Sequence, residues 1–139
     1  MNKLKYITAN DIALLEKFLI KEESSFLQLA ELGWTTKQIK NQLKKINNFS
    51  ICYCVNQIIN GILIGETIQN TNSYDLEIHL IYVAKENRRE KIATNLLNYI
   101  KFHKDKTKIS NIYLEVSEDN EKAINFYEKN DFVFLRFRH

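Results

Sequence analysis

The bend Asn87-Arg88-Arg89-Glu90-Lys91-Ile92-Ala93 runs straight into an apolar-periodic stretch. Cations at a helix start add side-chain charge to the orphan amides and positive dipole end already there, which makes a place for an anion and above all for phosphate. Downstream, Glu115 stands in the otherwise apolar run Ile112-Tyr113-Leu114-Glu115-Val116. Burying an ionised carboxylate without a partner is costly, and facing a wet groove removes that cost. Tyr127 falls on the apolar side of a further helical stretch, as a core tyrosine would, with a phenol that still needs a partner. Asn120, just before that stretch, is placed as an N-cap. Taken alone, Arg88-Arg89-Glu90-Lys91 is also how a solvated helix start is written, and Glu115 is also what an exposed strand face carries.

Several elements must hold these groups in place. Thr8-Ala9-Asn10-Asp11 caps a first helix with Ile12, Leu15, Leu19 and Ile20 at helical spacing, and Met1 to Lys5 leads into it. Thr35 with Gln38 is a capping box for a second helix carrying Ile39 and Leu43, packed on the first. Phe49 to Val55 and Ile62 to Thr67 read as a hairpin with Asn60-Gly61 as its turn dipeptide. Leu76 to Val83, rich in β-formers, suits a central strand covered on both faces. After the cationic bend, Ile92, Leu96, Leu97 and Ile100 form one apolar stripe, the core face of a helix. Asn111 to Val116 is a strand, Asn120 to Lys129 a helix and Phe132 to Arg138 a last strand. Strand, helix and strand in succession imply a parallel pair, and with the hairpin this gives a mixed α/β sheet flanked by helices.

The chain has 139 residues, 45% hydrophobic and 27% charged, which fits one globular domain spanning residues 1–139 with a core of its own. No apolar run of about 18 residues and no secretory apolar region is present, so a cytoplasmic protein without membrane contact is expected. A net charge of +3 does not by itself argue for nucleic acid. Cys52 and Cys54 are two apart on a strand, so both face one way, cannot easily bridge and read as reduced structural thiols. His79, His103 and His139 add no ligand spacing to them, and no metal is expected. His79 and Tyr113 read as ordinary strand residues.

The second half of the chain resembles the GNAT superfamily of acetyl-CoA-dependent N-acetyltransferases, and within it the bacterial ribosomal-protein-alanine N-acetyltransferases. The pattern Gln/Arg-x-x-Gly-x-Gly/Ala is met by Arg88-Arg89-Glu90-Lys91-Ile92-Ala93, with Lys91 where the first glycine stands. A second pattern appears as Leu114-Glu115-Val116, Asn120, Ala123-Ile124-Asn125-Phe126-Tyr127-Glu128 and Asp131-Phe132, with Asp131 where a late glycine stands. The first half is matched mainly by element order and by Trp34-Thr35-Thr36.

The resemblance implies that Ile81, Tyr82 and Val83 lend backbone groups to the pantetheine arm of acetyl-CoA, while Arg88, Arg89, Glu90, Lys91, Ile92 and Ala93 meet its pyrophosphate and Asn120 touches the cofactor. It makes Glu115 the general base for the acceptor amine and Tyr127 the general acid for the departing thiolate. A phenol of ordinary pKa, about 10, can protonate a thiolate whose acid lies near 8.5. The segment Glu22 to Trp34 would shape the acceptor groove. The implied reaction is acetylation of an amine, with a protein N-terminal α-amine such as that of a ribosomal protein as acceptor. A small amine, or a non-catalytic acyl-CoA-binding role prompted by Lys91 and Asp131, stands as the alternative. Family members usually carry one more strand than this chain, so either the fold is trimmed or a second copy covers the edge, as monomer or homodimer.

Overall fold

Two capping boxes open the N-terminal helices where the sequence places them. Thr8 Oγ1 accepts from Asn10 N–H at 3.2 Å while Asp11 reaches back to Thr8 N–H at 3.0 Å, and Gln38 Oε1 accepts from Thr35 N–H at 3.1 Å. The first box starts a short 3-10 turn, Ala9–Asp11, that runs into helix α1, Ile12–Lys21, and the second starts α2, Thr36–Leu43. The computed structural model describes residues 3–23, 34–103, 108–114, 121–130 and 132. The expected strand Phe132 to Arg138, beyond Phe132 itself, and most of the Glu22 to Trp34 segment lie outside the described residues.

The five described strands are β1 (Leu4–Ile7), β2 (Ser50–Val55), β3 (Ile58–Gln69), β4 (Tyr74–Val83) and β5 (Ile109–Leu114), hydrogen-bonded in chain order in one sheet. The first three junctions are antiparallel, and β4 with β5 is the parallel pair that the strand-helix-strand order implies. Helix α3, Ile92–His103, makes that crossover, and α4, Glu121–Lys129, follows β5. This is the mixed α/β sheet flanked by helices that the element order leads one to expect.

Two local readings are corrected. Leu4–Ile7 is an edge strand paired with β2, not the lead-in to a helix, and four residues are too few to display a two-residue period. The hairpin turn is Asn56-Gln57, both in the left-handed region at φ 53° and 62°, as a two-residue hairpin loop demands. Asn60-Gly61 instead lies inside β3, where Tyr53 faces Gly61 and Cys54 faces Ile59, so Asn60 is the extra residue of a bulge. Its carbonyl accepts from Ala84 N–H at 2.8 Å, which ties the bulge to the end of β4. Gly61 is needed for close approach: a β-carbon there would lie 2.7 Å from Ile92 Cγ2 at the start of α3.

The sheet carries a core on each face. On one, Leu15, Phe18 and Leu19 of α1 and Ile39 and Leu43 of α2 pack on Ile62, Ile64, Leu80 and Tyr82. On the other, the stripe Ile92, Leu96, Leu97 and Ile100 packs on Ile51, Leu63, Leu76 and Ile78. Truncating one such fully buried leucine to alanine typically costs about 2–5 kcal/mol, so each helix is held mainly by its stripe. Cys52 and Cys54 are free thiols facing the first core, and burial pushes the Cys52 thiol up to about 12, so it stays protonated and inert near neutral pH.

Candidate active site

Strand β4 has a break in its pairing. Ile64 of β3 faces Leu80, but the next residue, Gly65, faces Ile78, so His79 is the extra residue of a second bulge. On the other side, β4 pairs with β5 from Tyr74↔Ile109 to Ile78↔Leu114 and, among the described residues, no further. A bulge bends its strand, and this one follows directly on Ile78, which pairs with Leu114, the last described residue of β5.

A cavity of about 640 Å³ opens beside the last residues of β4. Ile81, Tyr82 and Val83 form its strand side, Arg88, Arg89 and Lys91 its cationic rim, and Ala93 and Thr94 the start of α3. Lys122, Ala123, Phe126 and Tyr127 of α4 close it from the opposite side. Of the residues singled out in the sequence, Glu90 and Ile92 do not line it. Glu90 accepts from Asn87 Nδ2 at 2.8 Å, and Ile92 is buried in the core, so either serves through its backbone alone. Glu115 and Asn120 lie outside the described residues. Lys122 was missed because a lysine in the first turn of an amphipathic helix reads as solvated, and only the packing of α4 brings it to the rim.

The cationic bend is anchored before any ligand arrives. Arg88 Nε donates to Val83 C=O at 3.1 Å, and its guanidinium carbon lies 5.2 Å from the Tyr82 ring centroid. Anchoring through Nε keeps the terminal amino groups of the fork for phosphate oxygens. The buried carboxylate of Glu22, just past α1, accepts from Tyr82 hydroxyl at 3.1 Å and from Lys85 N–H at 2.8 Å, locking the end of α1 to the start of the bend. Asn95 N–H donates to Lys91 C=O at 3.0 Å as the first bond of α3, so the amides of Ile92, Ala93 and Thr94 come before it as the helix's orphan donors. Four side-chain cations with helix-start amides suit a polyanion such as a nucleotide diphosphate. The donor set fits coenzyme A.

Lys91 sits at φ 59°, in the left-handed region where glycine is at home. Such a conformation costs a residue with a β-carbon about 1–2 kcal/mol, partly offset in the comparison with glycine by the latter's extra chain entropy. Lys91→Gly is therefore expected to raise stability by at most about 1 kcal/mol while removing an ammonium from the rim. Coenzyme A binding should weaken about fivefold at low salt, in line with about 1 kcal/mol for an exposed charge pair, and less at high salt. Titration calorimetry at two salt concentrations checks this, and tighter binding by the variant would show the lysine to be an obstruction.

Tyr127 is fixed by aromatic neighbours, with Phe126 at 5.2 Å and Phe132 at 5.7 Å between ring centroids, both edge to face. Helix α4 is held against α3 by Lys101, which donates to Asn130 C=O and lies 5.2 Å from the Phe132 ring. Burial pushes the Tyr127 phenol up to about 12, so it remains a neutral O–H donor through the physiological range.

A cationic helix start and a neutral phenol on the walls of one cavity suit an acyl-CoA-dependent transferase. The Acetyltransferase (GNAT) family model matches residues 16–132, and the chain belongs to that family, whose members take acetyl from acetyl-CoA. No functionally curated protein matches the sequence. Solved structures similar to it include a possible acetyltransferase from Clostridium difficile 630, at 24% identity and TM-score 0.75, covering 98% of this chain and 93% of that one. An aminoglycoside acetyltransferase from an uncultured soil metagenomic sample matches at 21% identity and TM-score 0.72, covering 100% of this chain and 96% of that one. A ribosomal-protein-alanine N-acetyltransferase from Brucella melitensis biovar Abortus 2308 matches at 16% identity and TM-score 0.70, covering 98% of each chain. At these identities the likeness is one of fold. Among the described residues, no helix is long and apolar enough to cross a membrane, and no three His, Cys, Asp or Glu side chains gather as a metal site.

Proposed function

We propose that this enzyme acetylates the N-terminal α-amine of a protein, a ribosomal protein being the first candidate, by direct transfer from acetyl-CoA. The observation that carries the transfer chemistry is one cavity bounded by the cationic start of α3 on one side and Tyr127 on the other. Acetyl-CoA supplies the acetyl group and departs as the free thiol. Arg88, Arg89, Lys91 and the first amides of α3 hold the phosphates, and Ile81 to Val83, which line the same cavity, take the arm as the resemblance implies. Tyr127 gives its phenolic proton to the leaving sulfur and is reprotonated from solvent. Glu115 is assigned the base role by resemblance.

The α-amine acceptor is supported by the sequence run Leu114-Glu115-Val116 to Tyr127-Glu128, which resembles that of enzymes acting on such amines. The fold's likeness to an aminoglycoside acetyltransferase supports a second acceptor class, a small polyamine or aminosugar. Incubation with acetyl-CoA and a panel of N-terminal peptides, polyamines and aminoglycosides, followed by free thiol and product mass, separates the two. Turnover with peptides bearing free α-amines, lost on blocking that amine, is the expected result. Turnover confined to small amines would overturn the peptide reading while leaving the transfer chemistry intact.

A further inference from the structure

Glu22 is buried, 6% exposed, one residue past the end of α1, and it is not among the residues that line the cavity. A buried carboxyl group is costly unless its oxygens are paired, and the partners of this one lie 60 and 63 residues along the chain. Its Oε1 accepts from Tyr82 hydroxyl at 3.1 Å and from Lys85 N–H at 2.8 Å. Tyr82 belongs to β4, and Lys85 opens the short 3-10 turn Lys85–Asn87 that leads to Arg88. One oxygen therefore ties the end of α1 both to the strand and to the turn that follows it.

The Tyr82 ring extends this tie to the cationic rim. Phe18 of α1 meets the ring edge to face at 5.9 Å, and the Arg88 guanidinium carbon lies 5.2 Å from its centroid. The ring is thus gripped at its hydroxyl by Glu22 and at its side by Phe18, and it supports an arginine that lines the cavity. A free arginine side chain loses much rotamer entropy when it closes on an anion, and one already resting on a fixed ring loses less. The neighbouring pair Lys21–Glu86 joins the same two elements but is exposed, and pairs of that kind contribute little. Burial gives the Glu22 contacts the larger share in holding the bend.

We propose that Glu22 is a positioning residue for the phosphate end of acetyl-CoA: by fixing Tyr82 and Lys85 it holds the bend, and Arg88 above all, in the arrangement that receives the diphosphate. The inference rests on the acetyl-CoA reading above and deepens it. Glu22 acts through affinity for the donor and leaves the transfer step to the groups around the cavity.

The test is the Kd of coenzyme A by titration calorimetry at low salt, well below the melting temperature, for the parent and for Glu22→Ala, Glu22→Gln, Tyr82→Phe and Leu43→Ala. Glu22→Ala is expected to weaken binding roughly tenfold, because it removes the acceptor that both donors share. Glu22→Gln keeps an accepting oxygen at that place and should bind within about twofold of the parent. Tyr82→Phe keeps the ring beneath Arg88 and the Lys85 bond, so a loss of about threefold is expected. Leu43→Ala empties part of the core beneath α2 and should lower the melting temperature while leaving Kd within about twofold, which separates positioning from general loss of stability. Added to Arg88→Ala, Glu22→Ala should weaken binding by less than about threefold more, since the residue it positions is gone. With the amine that the panel above identifies, KM for acetyl-CoA should rise in step with Kd while kcat stays within about twofold.

Were Glu22→Ala not to fold, Tyr82→Phe decides, and parent affinity in that variant overturns the proposal. Parent affinity in Glu22→Ala, an equal loss in Leu43→Ala, or the full tenfold loss repeated in the Arg88→Ala background overturns it too, and each leaves the coenzyme A site standing. A parent protein that binds no coenzyme A overturns the site and the positioning role together.

Discussion

Tyr127→Phe is expected to reduce kcat roughly 100-fold while changing coenzyme A affinity less than about twofold, because the substitution removes one proton and keeps the ring. The ring makes the contacts with Phe126 and Phe132 that seat α4, and phenylalanine retains them. What is lost is a neutral phenol beside the cavity. Its proton affinity, pushed up to about 12 by burial, keeps it loaded at every pH at which the enzyme would be assayed, so it should contribute no alkaline limb below about pH 11. The same displacement has a sign for stability. A phenol whose folded value lies above its ordinary 10 stabilises the native state below that value, and the contribution disappears as pH rises from about 10 to 12. Parallel denaturation of parent and variant across that window should show the parent losing more. Equal kcat in the two proteins would remove Tyr127 from the mechanism.

Gly65→Ala should cost about 3 kcal/mol, and for a domain of this size lower the melting temperature by roughly 10 °C. A β-carbon at Gly65 would lie 2.8 Å from Glu77 C=O and 3.1 Å from Phe49 C=O, both backbone atoms with nowhere to move. Gly65 also accepts from Phe49 N–H at 2.9 Å and from the buried Gln42 Nε2 at 3.2 Å, and its own N–H lies 3.3 Å from Ser50 Oγ. Relief of the clash must therefore pull β3 from β4 beside the His79 bulge. Gly61→Ala is the contrast: its bad contact is with the Ile92 side chain, which can shift, so a smaller loss of stability is expected with α3 slightly lifted at its start. Thermal melts of the two variants compare them, and an unchanged melting temperature for Gly65→Ala would contradict the packing described here.

The residues that announced themselves in the sequence were those whose local chemistry and long-range role coincide. Thr8, Asp11, Thr35 and Gln38 cap helices by contacts three residues apart, and the stripe Ile92, Leu96, Leu97 and Ile100 is legible from its period. The cationic bend was readable for the same reason, since charge and helix start adjoin in the chain. What escaped was non-local. Asn60-Gly61 looks like a turn and is a bulge, because which glycine turns the chain depends on the register of a partner strand. Lys91 looks like a loss of function at a glycine position, yet the backbone takes φ 59° regardless. His79, Glu66 and Trp34 come from three separate segments, and no spacing rule links them, so the histidine read as an ordinary strand residue.

Binding of coenzyme A by the purified protein, followed by titration calorimetry, bears most directly on the claim that the bend from Arg88 to Ala93 holds a thioester carrier by its diphosphate. Saturable heat with a Kd below about 100 μM, weakened at least tenfold in Arg88→Ala and further by salt, is the predicted result. No saturable heat at millimolar coenzyme A, or equal binding by Arg88→Ala, would contradict it.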